Sequence, residues 1–308
     1  MKNSLLIHPE LLLYYHGIGD ALLFNAVLHD LGKQNSMRYL VGSPHAEIYR
    51  GNPYVIHLPF SQAINYKIAR VLKLLGMGGL VTHVNYYHES KIPKKHILQL
   101  LSERFGLRKI PAGPLLILSD EEKATRLLPT SEKPWVAIQS MGMKKWTDNK
   151  NWGVSNFQEV VRLLSYKYSF VQLGPKGDLL LEGATDLTGK LSLRQVVSVM
   201  RECKSFIGQE GFLMHAAASQ HVPSVIVYGG FLAPWQSGFT WNVNLFTPLE
   251  CSPCWLEGTC PWEKKCMTMI SPGQVVREHE RMIENPSVET LGIVLRNEDY
   301  QSGSKAVA

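Results

Sequence analysis

Four groups of residues in this 308-residue chain combine types and spacing that could do chemistry. Asp20 follows His16-Gly17-Ile18-Gly19. Glycines let a substrate approach the backbone closely, and a carboxylate beside them can take a proton from an attacking hydroxyl. A carboxylate at a helix start equally suits an N-cap. A loop over 142–152 carries Lys144, Lys145 and Lys150 ahead of a helix. Point charges beside a helix N-terminus suit a diphosphate, although a solvated basic loop would look the same. Gly208-Gln209-Glu210-Gly211 forms a turn after an apolar run. There Glu210 is placed to accept hydrogen bonds from a ribose, or simply to complement the next helix dipole. Finally, Cys251-x2-Cys254-x5-Cys260-x5-Cys266 gathers four of the five cysteines. As four thiolates they could wrap a zinc or iron ion, filling its coordination sphere, so that site would be structural. Free buried or reactive thiols are the alternative.

These residues need elements to hold them. The organising stretch is Ser205–Gly230, read as a strand ending at Ser205–Gly208, a helix Phe212–Ser219 rich in alanine, and a strand Ser224–Tyr228 after Val222-Pro223. That is a βαβ unit, whose helix N-terminus lies at a strand's carboxyl end, where α/β proteins bind phosphorylated ligands. Upstream, a strand Leu11–Tyr15 enters the Asp20 turn and a helix over about Ala21–Gly32. Strands Met37–Val41, Val55–Leu58 and Val81–Asn85 follow, with helices Gln62–Leu75 and Lys94–Phe105. Pro129–Pro134 reads as a linker. Beyond it the pattern restarts with strand Trp135–Gln139, a helix Ser155–Lys167 capped by Ser155, strand Phe170–Gly174 and a short strand near Asp186-Leu187. A helix Ser192–Glu202 capped by Ser192, and helices over Pro272–Asn285 and Pro286–Asn297, complete the reading. The class is α/β: two doubly wound halves, 1–130 and 131–308, facing across a cleft that Tyr86-Tyr87-His88 could help line.

Composition bounds the function. Hydrophobic residues make up 45% of the chain, ordinary for a globular protein, and no apolar run reaches a membrane span. His8, Pro9 and Glu10 interrupt any signal-peptide core, so a soluble cytosolic protein is expected. The Asp20 turn is not GxGxxG, which leaves a dinucleotide fingerprint absent. Residues 1–130 hold 15 Lys and Arg against 9 Asp and Glu, whereas 131–308 hold 17 of each. The whole surplus of +6 therefore sits in the first half, which favours an anionic partner: acidic glycolipid, membrane surface or nucleic acid.

Over roughly residues 11–285 the pattern resembles glycosyltransferase family 9, the heptosyltransferase family, of two-domain GT-B fold. The matching pieces run in order. They are the Gly-Ile-Gly-Asp20 turn; Lys150-Asn151-Trp152; Asp186-Leu187-Thr188-Gly189-Lys190-x-Ser192-Leu193; Gly208-Gln209-Glu210 through Met214-His215-x-Ala217; and Cys251-x-Pro253-Cys254 with Cys266-Met267. The resemblance implies that Asp20 is the catalytic base and that Lys150 neutralises the donor's phosphates. It puts Glu210 at the donor ribose, with Gly211, Met214, His215, Thr188 and Gly189 in the donor-binding set. Gly211 and Phe212 depart from the family's frequent Ser/Thr-Gly, which leaves the donor sugar and nucleotide open. Some relatives fold a cysteine-bound metal finger at the place of Cys251, Cys254, Cys260 and Cys266. The implied reaction is inverting transfer of a sugar, heptose by family default, from an ADP-linked donor to a hydroxyl of lipopolysaccharide core, another glycan or a glycoprotein. It implies no catalytic metal, peripheral contact with the inner membrane face, and closure of the halves about Pro129–Pro134. The rival reading is a non-enzymatic, basic nucleotide- or nucleic-acid-binding protein with a structural zinc knuckle.

Overall fold

The computed structural model describes residues 5–14, 16–85, 92–141 and 147–285. Lys144, Lys145, Tyr86-Tyr87-His88 and the helix expected after Pro286 lie outside the described residues. The order is β1 (Leu6–Leu13), α1 (Ile18–Asn35), β2 (Met37–Gly42), α2 (Ala46–Tyr49), β3 (Val55–Leu58), α3 (Gln62–Leu74), β4 (Val81–His83), α4 (Ile97–Arg104) and α5 (Asp120–Ala124). Then come β5 (Trp135–Ile138), α6 (Val154–Leu164), β6 (Ser169–Gln172), β7 (Ala184–Asp186), α7 (Leu193–Glu202), β8 (Ser205–Gln209) and α8 (Phe212–Ser219). The chain continues through β9 (Ser224–Tyr228), α9 (Pro234–Ser237), β10 (Val243–Phe246), α10 (Lys265–Thr268) and α11 (Pro272–Glu284). One parallel sheet runs β3-β2-β1-β4 and the other β10-β9-β8-β5-β6-β7. This is the α/β architecture expected, with strands such as β8 and β9 buried on both faces and accordingly short and apolar.

Two helix starts differ from expectation, for one reason. Helix α1 begins at Ile18, with Gly17 as its N-cap and no side-chain cap bond. Asp20 is therefore the third helical residue rather than the cap. Helix α6 begins at Val154 off Gly153, whose φ is +105°, so Ser155 lies inside the first turn and caps nothing. In both, glycine turns the chain into the helix without supplying a capping oxygen. At α7, by contrast, Ser192 caps as expected, forming a capping box with Gln195. The short α2, α9 and α10 and the edge strand β10 carry no periodic signal long enough to be read from sequence.

Core packing joins the halves. In the second sheet the strands alternate: Val136, Ile138, Val225 and Val227 face one cluster with α6 and α11, while Ala137, Ile226 and Tyr228 face the other. That other cluster continues into the first half through Leu12, Tyr14, Phe24 and Leu28. Helix α1 packs on α8, and α2 and α5 pack on α7. Arg194 of α7, 3% exposed, seals the seam. Its Nε and Nη2 each lie 2.6 Å from a carboxylate oxygen of Glu122, and its other N–H groups reach the carbonyls of Glu47, Arg50 and Ile117. The guanidinium holds the Glu122 carboxyl down at about 2. Opening the halves would expose this shared core and strand a buried cation, which opposes a wide hinge motion about Pro129–Pro134.

Candidate active site

Strand β8 delivers Gln209 and Glu210 to its carboxyl end. Gln209 is fully buried; its side-chain oxygen accepts from the Trp152 N–H at 3.1 Å and its amide donates to Asn151 at 3.1 Å. That pair of bonds draws the loop before α6 onto β8. Lys150, one residue earlier, then sets its Nζ 2.5 Å from Glu210 Oε2 and 4.9 Å from the centre of the Phe231 ring. A lysine ammonium has three N–H donors, so this ion pair leaves capacity for an anion. Lys150 and Glu210 thus meet as one charged pair at the N-terminus of α8.

The turn that carries Asp20 comes up to α8 from the first half. A Cβ on Gly19 would lie 2.8 Å from His215 Cδ2 and 3.4 Å from Phe212 Cα, so only glycine lets α1 rest on the first turn of α8. Its neighbour Asp20 is half-buried, and Phe212 is two residues from Glu210. Three histidines stand at this edge of the first sheet: His16 donates to Val84 O at 2.9 Å, His45 to His16 O at 3.1 Å, and His57 to Ser43 O at 2.8 Å. Burial lowers the pKa of all three, keeping them neutral at pH 7.

The remaining expected residues divide. Gly211, with φ +150°, caps α8 and would place a Cβ in open space, so the backbone N–H groups behind it stay approachable. His215 is buried, edge-on to Phe239, with Nδ1 unpaired among the described residues; burial takes its pKa down to about 4. Met214 is wholly buried and its sulfur accepts from the Tyr228 hydroxyl at 3.1 Å, which makes it packing beneath the helix. Thr188 and Gly189 stand apart from the Lys150–Glu210 pair. Thr188 donates both its N–H and its hydroxyl to Asp186, at 2.9 and 2.6 Å, and Gly189 makes a left-handed turn. Between the two places lies a residue the sequence reading passed over. Asp178, after β6, has a buried Oδ2 without a partner among the described residues, and burial raises its carboxyl to about 6. Only its place in a Gly-Pro-Lys-Gly-Asp loop at a strand end hinted at it.

The model of glycosyltransferase family 9 (heptosyltransferase) matches residues 88–255, more than half of the chain. The chain belongs to glycosyltransferase family 9. The autotransporter heptosyltransferase Aah of Escherichia coli is 29% identical over 161 residues, which are 47% of this chain and 39% of that protein. The chain thus aligns with well under half the length of this curated relative. Among solved structures, a family 9 glycosyltransferase from Veillonella parvula superposes with a TM-score of 0.67 at 17% identity, covering 92% of this chain and 99% of its own. The iron-containing dodecameric glycosyltransferase TibC of enterotoxigenic E. coli gives 0.68 at 19% identity, covering 92% and 78%. E. coli ADP-heptose lipopolysaccharide heptosyltransferase II gives 0.62 at 15%, covering 90% and 99%. These likenesses establish the GT-B fold expected of a family 9 chain.

In this family 9 chain the cysteines gather at one corner. Cys266 is buried and accepts the Gly230 N–H on its sulfur at 3.0 Å. Burial raises its pKa most, and Cys254, Cys260 and Cys251 each push it further up, a sign of mutual proximity. Four thiols with a backbone N–H on one sulfur are a donor set suited to zinc or iron. Yet among the described residues no three Cys, His, Asp or Glu stand close enough together to hold an ion. The segment has a second office. Asn149 donates to the carbonyls of Leu256 at 2.7 Å and Gly258 at 2.8 Å, and Lys264 Nζ lies 2.8 Å from Asp148. The cysteine segment therefore buttresses the loop that carries Lys150.

Proposed function

We propose that this family 9 protein transfers a sugar, heptose in the first instance, from an ADP-linked donor to a hydroxyl of a bacterial glycan or glycoprotein, with inversion. The reading rests on the Lys150–Glu210 pair at the N-terminus of α8, set against the Asp20 turn. TibC has been crystallised with ADP-D-β-D-heptose, which supports the choice of donor. In this reading residues 1–130 receive the acceptor and 131–308 the donor, in the cytoplasm. No helix among the described residues is long and apolar enough to cross a membrane.

The chemistry follows from charge. Asp20 accepts the proton of the acceptor hydroxyl as its oxygen bonds to the anomeric carbon. The bond to the donor phosphate breaks, and its electron pair leaves with the nucleoside diphosphate. Lys150 and the N–H groups opening α8 stabilise that developing charge, and no step here calls on a metal. Glu210 holds Lys150 in position and, with Asp178, offers carboxylate oxygens to the ribose hydroxyls. Direct displacement from the opposite face inverts the centre. For a structural zinc or iron ion, Cys251, Cys254, Cys260 and Cys266 would have to draw closer together than they stand here, which would fix the segment behind Asn149; elemental analysis of purified wild-type and Cys254→Ser protein tests this.

The test of the function is a thermal-shift titration against ADP-, UDP-, GDP- and CMP-sugars, followed by transfer assays. ADP-sugars are expected to raise the melting temperature by mass action, and Lys150→Ala to abolish the rise. Asp20→Asn should keep the shift and lose turnover by about 10²–10⁴. A folded Asp20→Asn protein with normal turnover would remove Asp20 as base.

A further inference from the structure

Each of the four parallel strands of the first sheet has a histidine within three residues of its carboxyl end: His16 after β1, His45 after β2, His57 in β3 and His83 closing β4. Ligands of α/β proteins meet the chain at this edge, and the Asp20 turn leaves from it. His45 touches that turn directly, since its Nε2 donates to His16 O at 3.1 Å. His57 stands one strand further out. Its Nε2 donates to Ser43 O at 2.8 Å, and its ring stacks on Tyr49 with centres 5.3 Å apart.

These bonds fix the chemistry of the rings as well as their place. A neutral ring whose Nε2 faces a carbonyl carries its proton there and keeps a lone pair at Nδ1. Burial, and for His57 the nearness of His45, holds both rings neutral at pH 7. Neither Nδ1 is bonded among the described residues, and neither is sealed from solvent. His45 and His57 therefore offer two hydrogen-bond acceptors and no charge. A ligand that meets them must bring donors.

Charge narrows the class. The segments leaving the four strands, 14–20, 42–46, 57–61 and 83–85, contain no lysine or arginine. Asp20 lies in one of them, and Glu47 follows His45 by two residues. Arg104 reaches this edge at β4, where it donates to the carbonyls of His83 and Asn85, three strands away from His57. The cations of α3 begin at Lys67, more than a turn inside that helix. A phosphate or carboxylate would meet lone pairs and carboxylates here, and no cation from these segments. Number narrows it further. A serine side chain has one hydroxyl, which the reaction gives to Asp20. A sugar ring has several, so one can meet Asp20 while others donate to His45 and His57.

We propose that His45 and His57 form the acceptor subsite and that the acceptor is an uncharged glycan. The inference rests on the transferase reading, yet its test needs no turnover. Labelled full-length protein, with ADP present, is applied to an array of neutral hexose oligosaccharides, their 6-phosphates, uronic acid oligomers and serine-rich peptides. Binding should be confined to neutral glycans. His45→Gln and His57→Gln keep an N–H for the carbonyl and remove the Nδ1 acceptor. Each should weaken binding about three- to tenfold, and the two together by roughly the product. Both should keep the wild-type melting temperature and ADP-sugar thermal shift, and His83→Gln, on the far strand, should bind as wild type does. Undiminished binding by His45→Gln/His57→Gln would overturn the proposal, because the rings would then serve only through their Nε2 bonds. So would preference for the acidic glycans, or binding of peptides and of no neutral glycan; these wild-type results decide the acceptor class even where a variant folds poorly. An absent ADP-sugar shift in wild type would strike the transferase reading and not the subsite.

Discussion

Two turns of the second sheet look alike in sequence and behave oppositely in structure. At Asp186–Lys190 and at Gln209–Phe212 a carboxylate stands at the carboxyl end of a parallel strand, pairs with a lysine and has a glycine within the next three residues. In the first, Asp186 accepts from the N–H and hydroxyl of Thr188 and from Lys190 at 2.6 Å, and a Cβ on Gly189 would lie 2.7 Å from Lys176 Cα. Every group there answers to the chain itself. In the second, Lys150 is the one side chain among the described residues bonded to Glu210, and a Cβ on Gly211 would meet nothing. Polar groups already matched build a scaffold; a charged pair beside open space has room for a ligand.

The largest effect that could break this contrast is on turnover. Lys150→Ala should lower kcat/KM by about 10²–10³, the usual loss for a group that meets charge developing in the transition state. Its melting temperature should fall as well, because the Glu210 side chain is only 11% exposed and loses its partner, so turnover is compared per folded molecule. A loss explained wholly by unfolding would put this turn in the scaffold class with the other.

The reverse experiment comes next in size. Gly189→Ala must strain a left-handed residue against backbone, and about 2–3 kcal/mol of stability should go, measured by urea unfolding. Turnover per folded molecule should hold. Gly211→Ala meets no neighbour, so its cost is backbone strain alone and its stability loss should be the smaller of the two. Equal losses at the two glycines would erase the distinction.

Asn149 sharpens the comparison from behind. Its amide anchors Lys150 to two carbonyls of the cysteine segment. Asn149→Ala should therefore cost about tenfold in kcat/KM through misplacement of Lys150, with donor KM rising more than kcat falls. Normal kinetics would separate the cysteine segment from the donor site.

How much of this was legible beforehand follows from the range of the forces involved. The β8–α8–β9 unit was readable almost to the residue, because alanine-rich helix, Val222-Pro223 and apolar strands are local signals. Asp20, Lys150 and Glu210 stood out by charge type beside glycine turns. The start of α1 was misplaced since Gly17 supplies no capping oxygen to read. Arg194 looked like any polar helix residue; its partners, 72 to 147 positions away, exist only after folding. Thr188 and Gly189 entered the expected donor set by motif, and the motif could not show that Thr188 bonds to Asp186 within the same turn.

The smallest effect tests the matched turn by acid. Its hydrogen bonds, first from Lys190 and then from Thr188, hold the Asp186 carboxyl at about 2, below its ordinary value of 3.8. Between those values the unfolded chain takes up the proton first, so the turn's stabilisation is whole above pH 4 and drains away as pH falls to 2. The buried rings of His215 and His279 act in a different window: both sit at about 4, so acid favours the unfolded chain from pH 6.5 downward. Each contributes about 1.4 kcal/mol of destabilisation per pH unit until the folded ring itself protonates. Asp186→Asn should therefore fall short of wild type by a constant amount from pH 7 to pH 4.5 in urea titrations, and the gap should close only below that. A gap that begins to close at pH 6 would show that a group other than the Asp186 carboxyl sets it, and one that never closes would show that the Asp186 charge contributes nothing to it.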